Sequence, residues 1–442
     1  MRVTVFFFAG MTSILAFSAA TAAVQQTGSA DHPVPIVRPG EVYRSVSGVP
    51  QVKMPFSSIQ EQSVIQASPG AQDVPAPPTT NGQQQIGPSL QVQSNAATMP
   101  DECYERASWC QLGEPIRLFG QTPGGLSLGG WSDSGYYSDN DGIWNNRDDK
   151  YNLNQLWFYA ERKAPQRCGC FGFGFRGDIV YGVNAQDLQA FGNPPAGNPD
   201  GWDNDWDHGS YGWALPQLYG EVARDNWSIK LGKYLNPGGY EQAMSPQNFF
   251  YSHSFGFGNI LPRSFSGTLS SHRLTQDMTL HGGITTNWDT GFDRFNDSLN
   301  YIGGFSYKPC GPVHLMGFAY VGDSGYREDG WTQDLTADVM LTDKLNYVGS
   351  WTFENSDTAH QFSLANYLIY RVNDCLGLGS RFEWYKSTIY TASSDSTYSW
   401  TAGLNFRGHA NLMVRPELRV DWGEGAVDPG QPIFASDLIV TF

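Results

Sequence analysis

The chain has 442 residues, a formal net charge of −16, only 16% charged residues, 50 glycines and 14% aromatics. So acidic a chain lacks the Lys and Arg that phosphate contacts need, which excludes a nucleic-acid partner. Abundant Gly and aromatic residues describe β structure with many turns. The mean hydropathy of −0.38 excludes a helical membrane bundle but not a barrel with a polar interior.

Taken in order, the chain begins with Arg2, an apolar run from Val3 to Phe17 and a small-residue stretch from Ser18 to Ala23. This predicts a secretory signal peptide over residues 1–23. Residues 24–100 are rich in Pro, Gln, Ser and Gly, as in Pro75-Ala-Pro-Pro78, and keep no period. Such a stretch cannot bury a core and is read as a disordered linker. Residues 101–125 form an N-terminal cap segment holding Cys103 and Cys110.

From Leu126 to Phe442 the chain alternates apolar and polar residues in sixteen segments of about ten residues. At roughly 3.3 Å per residue and about 40° of tilt, ten residues rise on the order of 25 Å, the height of a lipid-facing band. The expected strands lie near 126–137, 152–162, 171–183, 215–224, 227–235, 263–271, 278–288 and 299–308. They continue near 312–322, 332–341, 345–354, 361–372, 376–386, 397–407, 411–422 and 433–442. In the third, Phe171, Phe173, Phe175, Ile179, Tyr181 and Val183 share one parity, and Arg176 and Asp178 take the other. In the fifteenth, Leu412, Val414, Leu418, Val420 and Trp422 oppose Arg415, Glu417, Arg419 and Asp421. A basic residue facing lipid at mid-depth costs about 2–4 kcal/mol, so charges held to one parity suit a lipid face on the other. Segment 312–322 is apolar on both faces, and 126–137 is weakly patterned.

The connections alternate long and short. Tight turns such as Asp225-Asn226, Thr342-Asp-Lys344 and Gly408-His-Ala410 separate long links such as 184–214 and 236–262. This predicts an all-β fold: a transmembrane up-and-down antiparallel barrel of about sixteen strands over 126–442, behind a disordered extension. A propeller would repeat a blade every 40 to 50 residues, and no such repeat occurs. The last strand alternates Phe434, Leu438, Val440 and Phe442 with Asp437, Ile439 and Thr441. Such an end needs a neighbouring strand and lipid for its greasy face.

Six cysteines, Cys103, Cys110, Cys168, Cys170, Cys310 and Cys375, would meet an oxidising compartment after export. The last four fall in short turns on one rim, and their pairing is left open.

Several runs then carry a resemblance. Gly129-Gly-Trp131, Asp133-Ser-Gly-Tyr-Tyr137, Leu153-Asn-Gln-Leu-Trp-Phe-Tyr-Ala-Glu161 and Ala185-Gln-Asp187 open it. Tyr211-Gly-Trp-Ala-Leu-Pro-Gln-Leu-Tyr219, Pro246-Gln-Asn-Phe-Phe-Tyr-Ser-His253 and Trp288-Asp-Thr-Gly-Phe292 continue it. Over roughly 120–442 the chain resembles the OmpL-like outer-membrane β-barrel porins of the porin-2 group. The resemblance implies an outer-membrane barrel and a diffusion pore, and supplies no site residues.

For the interior, parity points to Arg176, Asp178, Arg381, Glu383, Arg415, Glu417 and Arg419 as pore-lining charges. Opposed charges across a pore wall would orient dipolar solutes; mutual salt bridging is the plainer alternative. The 236–262 link is the third long loop. By analogy with sixteen-stranded porins it would fold inward as a constriction bearing Glu241, Asn248, Phe250 and His253. Asp203-x-Asp205-x-Asp207 resembles the start of a calcium loop, but Gly209 sits one place late and Ala214 stands where Glu is needed. These three are only weak metal candidates. Otherwise no cofactor, metal or catalytic set is read, and Gly322-Asp-Ser-Gly325 lacks the partners of a protease nucleophile.

The expected function is a porin passing small hydrophilic solutes or ions, cation-favouring at its acidic mouth. The alternative is an adhesin or glycan-binding barrel using Trp202, Trp206 and Trp213. The expected partners are outer-membrane lipid, the barrel-assembly machinery through the strand ending in Phe442, solutes and further copies of the chain.

Overall fold

The computed structural model describes residues 112–442, except 113, 120–122, 146, 167–168, 191–201, 204–205, 293–298, 324–328, 390–393 and 427. The expected signal peptide, the linker, Cys103, Cys110, Cys168 and Asp205 lie outside the described residues. The strands are β1 (Leu126–Tyr137), β2 (Lys150–Arg162), β3 (Gly172–Gly182), β4 (Asp207–His208), β5 (Tyr211–Arg224), β6 (Trp227–Leu235), β7 (Ser264–Arg273) and β8 (Met278–Trp288). They continue as β9 (Asn300–Tyr307), β10 (Val313–Asp323), β11 (Asp329–Met340), β12 (Leu345–Ser356), β13 (Ala359–Arg371), β14 (Leu376–Ile389), β15 (Asp395–His409), β16 (Leu412–Gly423) and β17 (Pro432–Thr441).

Every neighbouring pair is antiparallel, and β17 returns to β1 with Trp131 opposite Thr441 and Tyr137 opposite Ala435. Phe442 completes the seam, its N–H donating to the Gly130 carbonyl at 2.9 Å. Since β4 only extends the upper end of β5, the wall is a closed sixteen-stranded barrel without a free edge. The alternation holds. Phe173, Leu231, Phe406 and Phe434 are exposed on the outer face, while Arg415, Arg419, Asp437 and Ile439 are buried inside. So continuous a band of exposed apolar side chains needs lipid.

Three departures from expectation have local causes. Strands β12, β14 and β15 run past their expected ends on the loop side, because ladder hydrogen bonds continue where the apolar pattern has stopped. The 355–360 link shrinks to Asp357-Thr358 between β12 and β13. Val183 leaves the outer face and starts a buried 3₁₀ helix, Val183–Leu188. The chain turns in at Gly182, whose φ of 152° and approach to the Asn154 carbonyl leave no room for a Cβ.

Segment 312–322 is apolar on both sides because its inner face is packed rather than wet. Phe318 and Tyr320 join Tyr234, Phe265, Trp288 and Ile302 in one buried cluster. A second cluster gathers Trp131, Trp144, Trp157, Phe255 and Phe257. Both lie inside the barrel, and both include residues of the β6–β7 connection or its ends.

Candidate functional site: the inward loop and its charged wall

The connection from Leu235 to Ser264 folds into the bore. Apart from short helical turns at Ser245–Gln247 and Gly256–Ile260, its backbone has no ladder to join, and buried peptide groups must still be paired. The inner faces of β14 and β16 supply the partners. Glu417 accepts the N–H groups of Tyr251 and Ser252 at 2.9 and 3.0 Å. Glu383 accepts those of Phe255 and Gly256 at 2.8 and 2.9 Å, plus the Ser363 hydroxyl at 2.6 Å.

The arginines serve the carbonyls. Arg415 Nη1 donates to Ser245, Asn248 and Phe250 oxygens at 3.0, 2.8 and 2.9 Å, and its other edge is held by Asp437. Arg381 donates to the Ser252 carbonyl and to Glu241 Oε1, both at 2.8 Å. Arg419 donates to the His253 carbonyl at 2.8 Å and to Asp141 at 3.0 Å, with Asp421 on its Nε. Side chains along each strand alternate in sign, so they read the loop's alternating donors and acceptors as a second strand would.

Further contacts fix the rest of the loop. Ser245 donates to Asp133 at 2.6 Å, Gln155 to the Ala243 carbonyl at 2.8 Å, and Gly239 N–H to Asp334 at 2.9 Å. Phe249 lies against Gly379, where a Cβ would stand 2.2 Å from the ring. Burial opposes ionisation of Glu241, yet Arg381, His253 and the Ser254 N–H together hold its carboxyl well below the usual range. Burial pushes His253 down, helped by Arg263 and Arg381 and opposed by Glu241, whose carboxylate lies 3.2 Å from its Nδ1.

The expected pore-lining charges therefore sit differently from the sequence reading. Arg381, Glu383, Arg415, Glu417 and Arg419 point inward but are at most 4% exposed, because the loop covers them. Asp178 is also buried, accepting from Trp157 at 2.8 Å. Arg176 pairs with Asp178 at 2.8 Å and with Glu161 at 3.5 Å, and keeps some exposure. Of the loop residues, Glu241, Asn248, Phe250 and His253 are all buried and all carry loop structure. Asn248 closes the loop on itself through Gln242 N–H at 2.8 Å.

Asp203 and Asp207, the two members of the acidic triplet among the described residues, take different partners. Asp203 is filled by the Ala190 and Leu215 N–H groups at 2.6 and 2.7 Å, with Lys233 at 3.8 Å, an ammonium that would repel a cation. Asp207 instead accepts from Gln189 at 2.8 Å. Among the described residues no group of acidic, His or Cys side chains could hold a metal. Sequence reasoning missed Asp133, Asp141 and Asp437 as anchors. Asp437 was visible by parity, but its pairing with Arg415 across the sheet was not.

A closed antiparallel wall, an apolar outer belt and a loop pinned inside the bore define a transmembrane barrel of the porin class. The chain belongs to the family described as "Putative beta-barrel porin-2, OmpL-like", which matches residues 125–442. It is an outer-membrane protein.

No curated protein sequence matches it. Similar solved structures include the outer membrane channel DcaP of Acinetobacter baumannii, at 11% identity and TM-score 0.49, covering 72% of this chain and 97% of that one. Pseudomonas putida OprB is similar at 13% identity and TM-score 0.48, covering 72% and 94%. OmpT of Vibrio cholerae, "an outer membrane protein", is similar at 9% and 0.45, covering 72% and 99%. Similarity at this level is one of outline, and nothing about solutes or assembly passes from those proteins to this chain.

Proposed function

We propose that this porin is a passive diffusion channel for small hydrophilic solutes or ions, narrowed by the inward loop at 236–263. One observation carries the reading: alternating wall charges hold the loop backbone inside the bore, an arrangement that sets a fixed constriction rather than a surface feature. Arg381, Glu383, Arg415, Glu417 and Arg419 act on selectivity through the loop they position. Arg176, with Glu161 beside it, meets the solute directly. The loop-side mouth carries Asp139, Asp148 and Asp149 among its described residues and favours cations at low salt.

Stepwise currents in planar bilayers, with a reversal potential displaced toward the cation under a salt gradient, are the expected result. A protein that inserts, shows heat-modifiable migration and gives no current is not a diffusion channel. In that case the exposed rings of Trp206 and Trp213 on the loop side favour the second reading, adhesion to glycans, which a glycan array would test.

A further inference from the structure

The loop leaves one arc of the bore wall open. On β14 and β16, Arg381, Glu383, Arg415, Glu417 and Arg419 spend their donors and acceptors on the loop. On β2, β3, β5 and β6 a second row of charges, Glu161, Arg176, Glu221 and Lys230, stands nearer the short turns. Glu161 and Tyr219 lie opposite Arg176 in the two flanking ladders, and Glu221 shares the parity of Tyr219, so this row faces the bore. The side chains of Arg176 and Glu161 keep 15% and 20% exposure, and Glu221 and Lys230 are half-buried.

Arg176 marks where the loop edge meets this arc. Its Nη2 donates to the Met244 Sδ at 3.8 Å, and so does Gln247 Nε2. Its remaining contacts are Asp178, at 2.8 and 2.9 Å, and Glu161, so it is largely satisfied by the protein.

Glu221 and Lys230 are not. They stand directly opposite each other in the β5–β6 ladder. Cβ atoms of such neighbours are about 4.5–5.5 Å apart, well within reach of a salt bridge. The Lys230 ammonium lies instead over the Tyr219 ring, 4.7 Å from its centre. Among the described residues, neither side chain forms an ion pair or hydrogen bond with the other or with a third group. The open arc therefore presents an ammonium with free donors beside a carboxylate with free acceptors. A plain cation is repelled by Lys230, and a plain anion by Glu221. A small solute with both signs on neighbouring atoms gains from both: its carboxylate accepts from Lys230, and its ammonium donates to Glu221.

We propose that Lys230 and Glu221 form a binding step for zwitterionic solutes of the α-amino-acid class, on the turn side of the inward loop. The inference rests on the diffusion-channel reading and adds which solutes the bore passes fastest. A two-point site in a wet bore suits conduction, which needs binding strong enough for entry and loose enough for release.

The test reconstitutes the full chain in liposomes and follows their swelling in alanine and in lactamide. These are isomers of the same skeleton, and only alanine is a zwitterion. Alanine should enter several-fold faster. Equal rates, or slower alanine, overturn the proposal and leave the channel standing. No swelling in either solute overturns the channel reading, and this inference with it. Heat-modifiable migration first establishes that each variant is folded. Lys230→Gln and Glu221→Gln should then each make the two rates equal, and a variant keeping the unmutated ratio overturns the assignment to that residue.

Discussion

Glu383 shows how one side chain can hold a piece of backbone. It accepts two consecutive N–H groups of the inward loop and the Ser363 hydroxyl. Glu383→Ala should leave those donors unpaired at about 1–3 kcal/mol each, releasing the loop near Phe255. The expected readout is larger, noisier single-channel conductance; unchanged conductance would show the loop is held elsewhere. Arg415 is a stricter case, serving three carbonyls and Asp437 at once. Removing one member of a buried ion pair costs about 3–5 kcal/mol. Arg415→Ala should therefore lower the denaturant midpoint and change conductance, more than it moves the reversal potential. At Gly379, substitution by Ala would place a methyl carbon 2.2 Å from the Phe249 ring. The loop tip must shift, and faster protease cleavage near Phe249 is expected.

The inward loop as an element is coupled to the protonation of His253. Its pKa is held below the ordinary 6.5 by burial, with Arg263 and Arg381 adding to that and Glu241 opposing it. The unfolded chain thus binds the proton first as pH falls. Stability is fully present above about 6.5 and is lost as pH drops through the lower folded value. Chemical unfolding in detergent should show this decline over the acid side of neutrality, and His253→Gln should flatten it. A variant keeping the full slope would assign it to another group. Glu241, also lowered, contributes in the same direction but at more acid pH.

At the scale of the whole molecule, closure rests on the seam between β17 and β1. Phe442 exchanges hydrogen bonds with Gly130 at 2.9 and 3.0 Å and sets its ring 5.5 Å from Phe158. Phe442→Ala should reduce the heat-modifiable folded fraction in the outer membrane, and an undiminished fraction would show that the seam closes without that ring.

The period-two alternation and the long-short rhythm of the connections together placed the sixteen wall strands, 312–322 and 126–137 by their position between turns more than by their pattern, since lipid on one side forbids charge at every second position. Charges such as Arg415 and Glu417 were likewise assigned to the interior by parity alone. What they face was not legible. A loop 166 to 170 residues away in sequence supplies the peptide groups that cover them, and only the closed barrel brings those carbonyls and N–H groups to the wall. Alternation records which side of a sheet a side chain leaves; the partner it meets there is a property of closure.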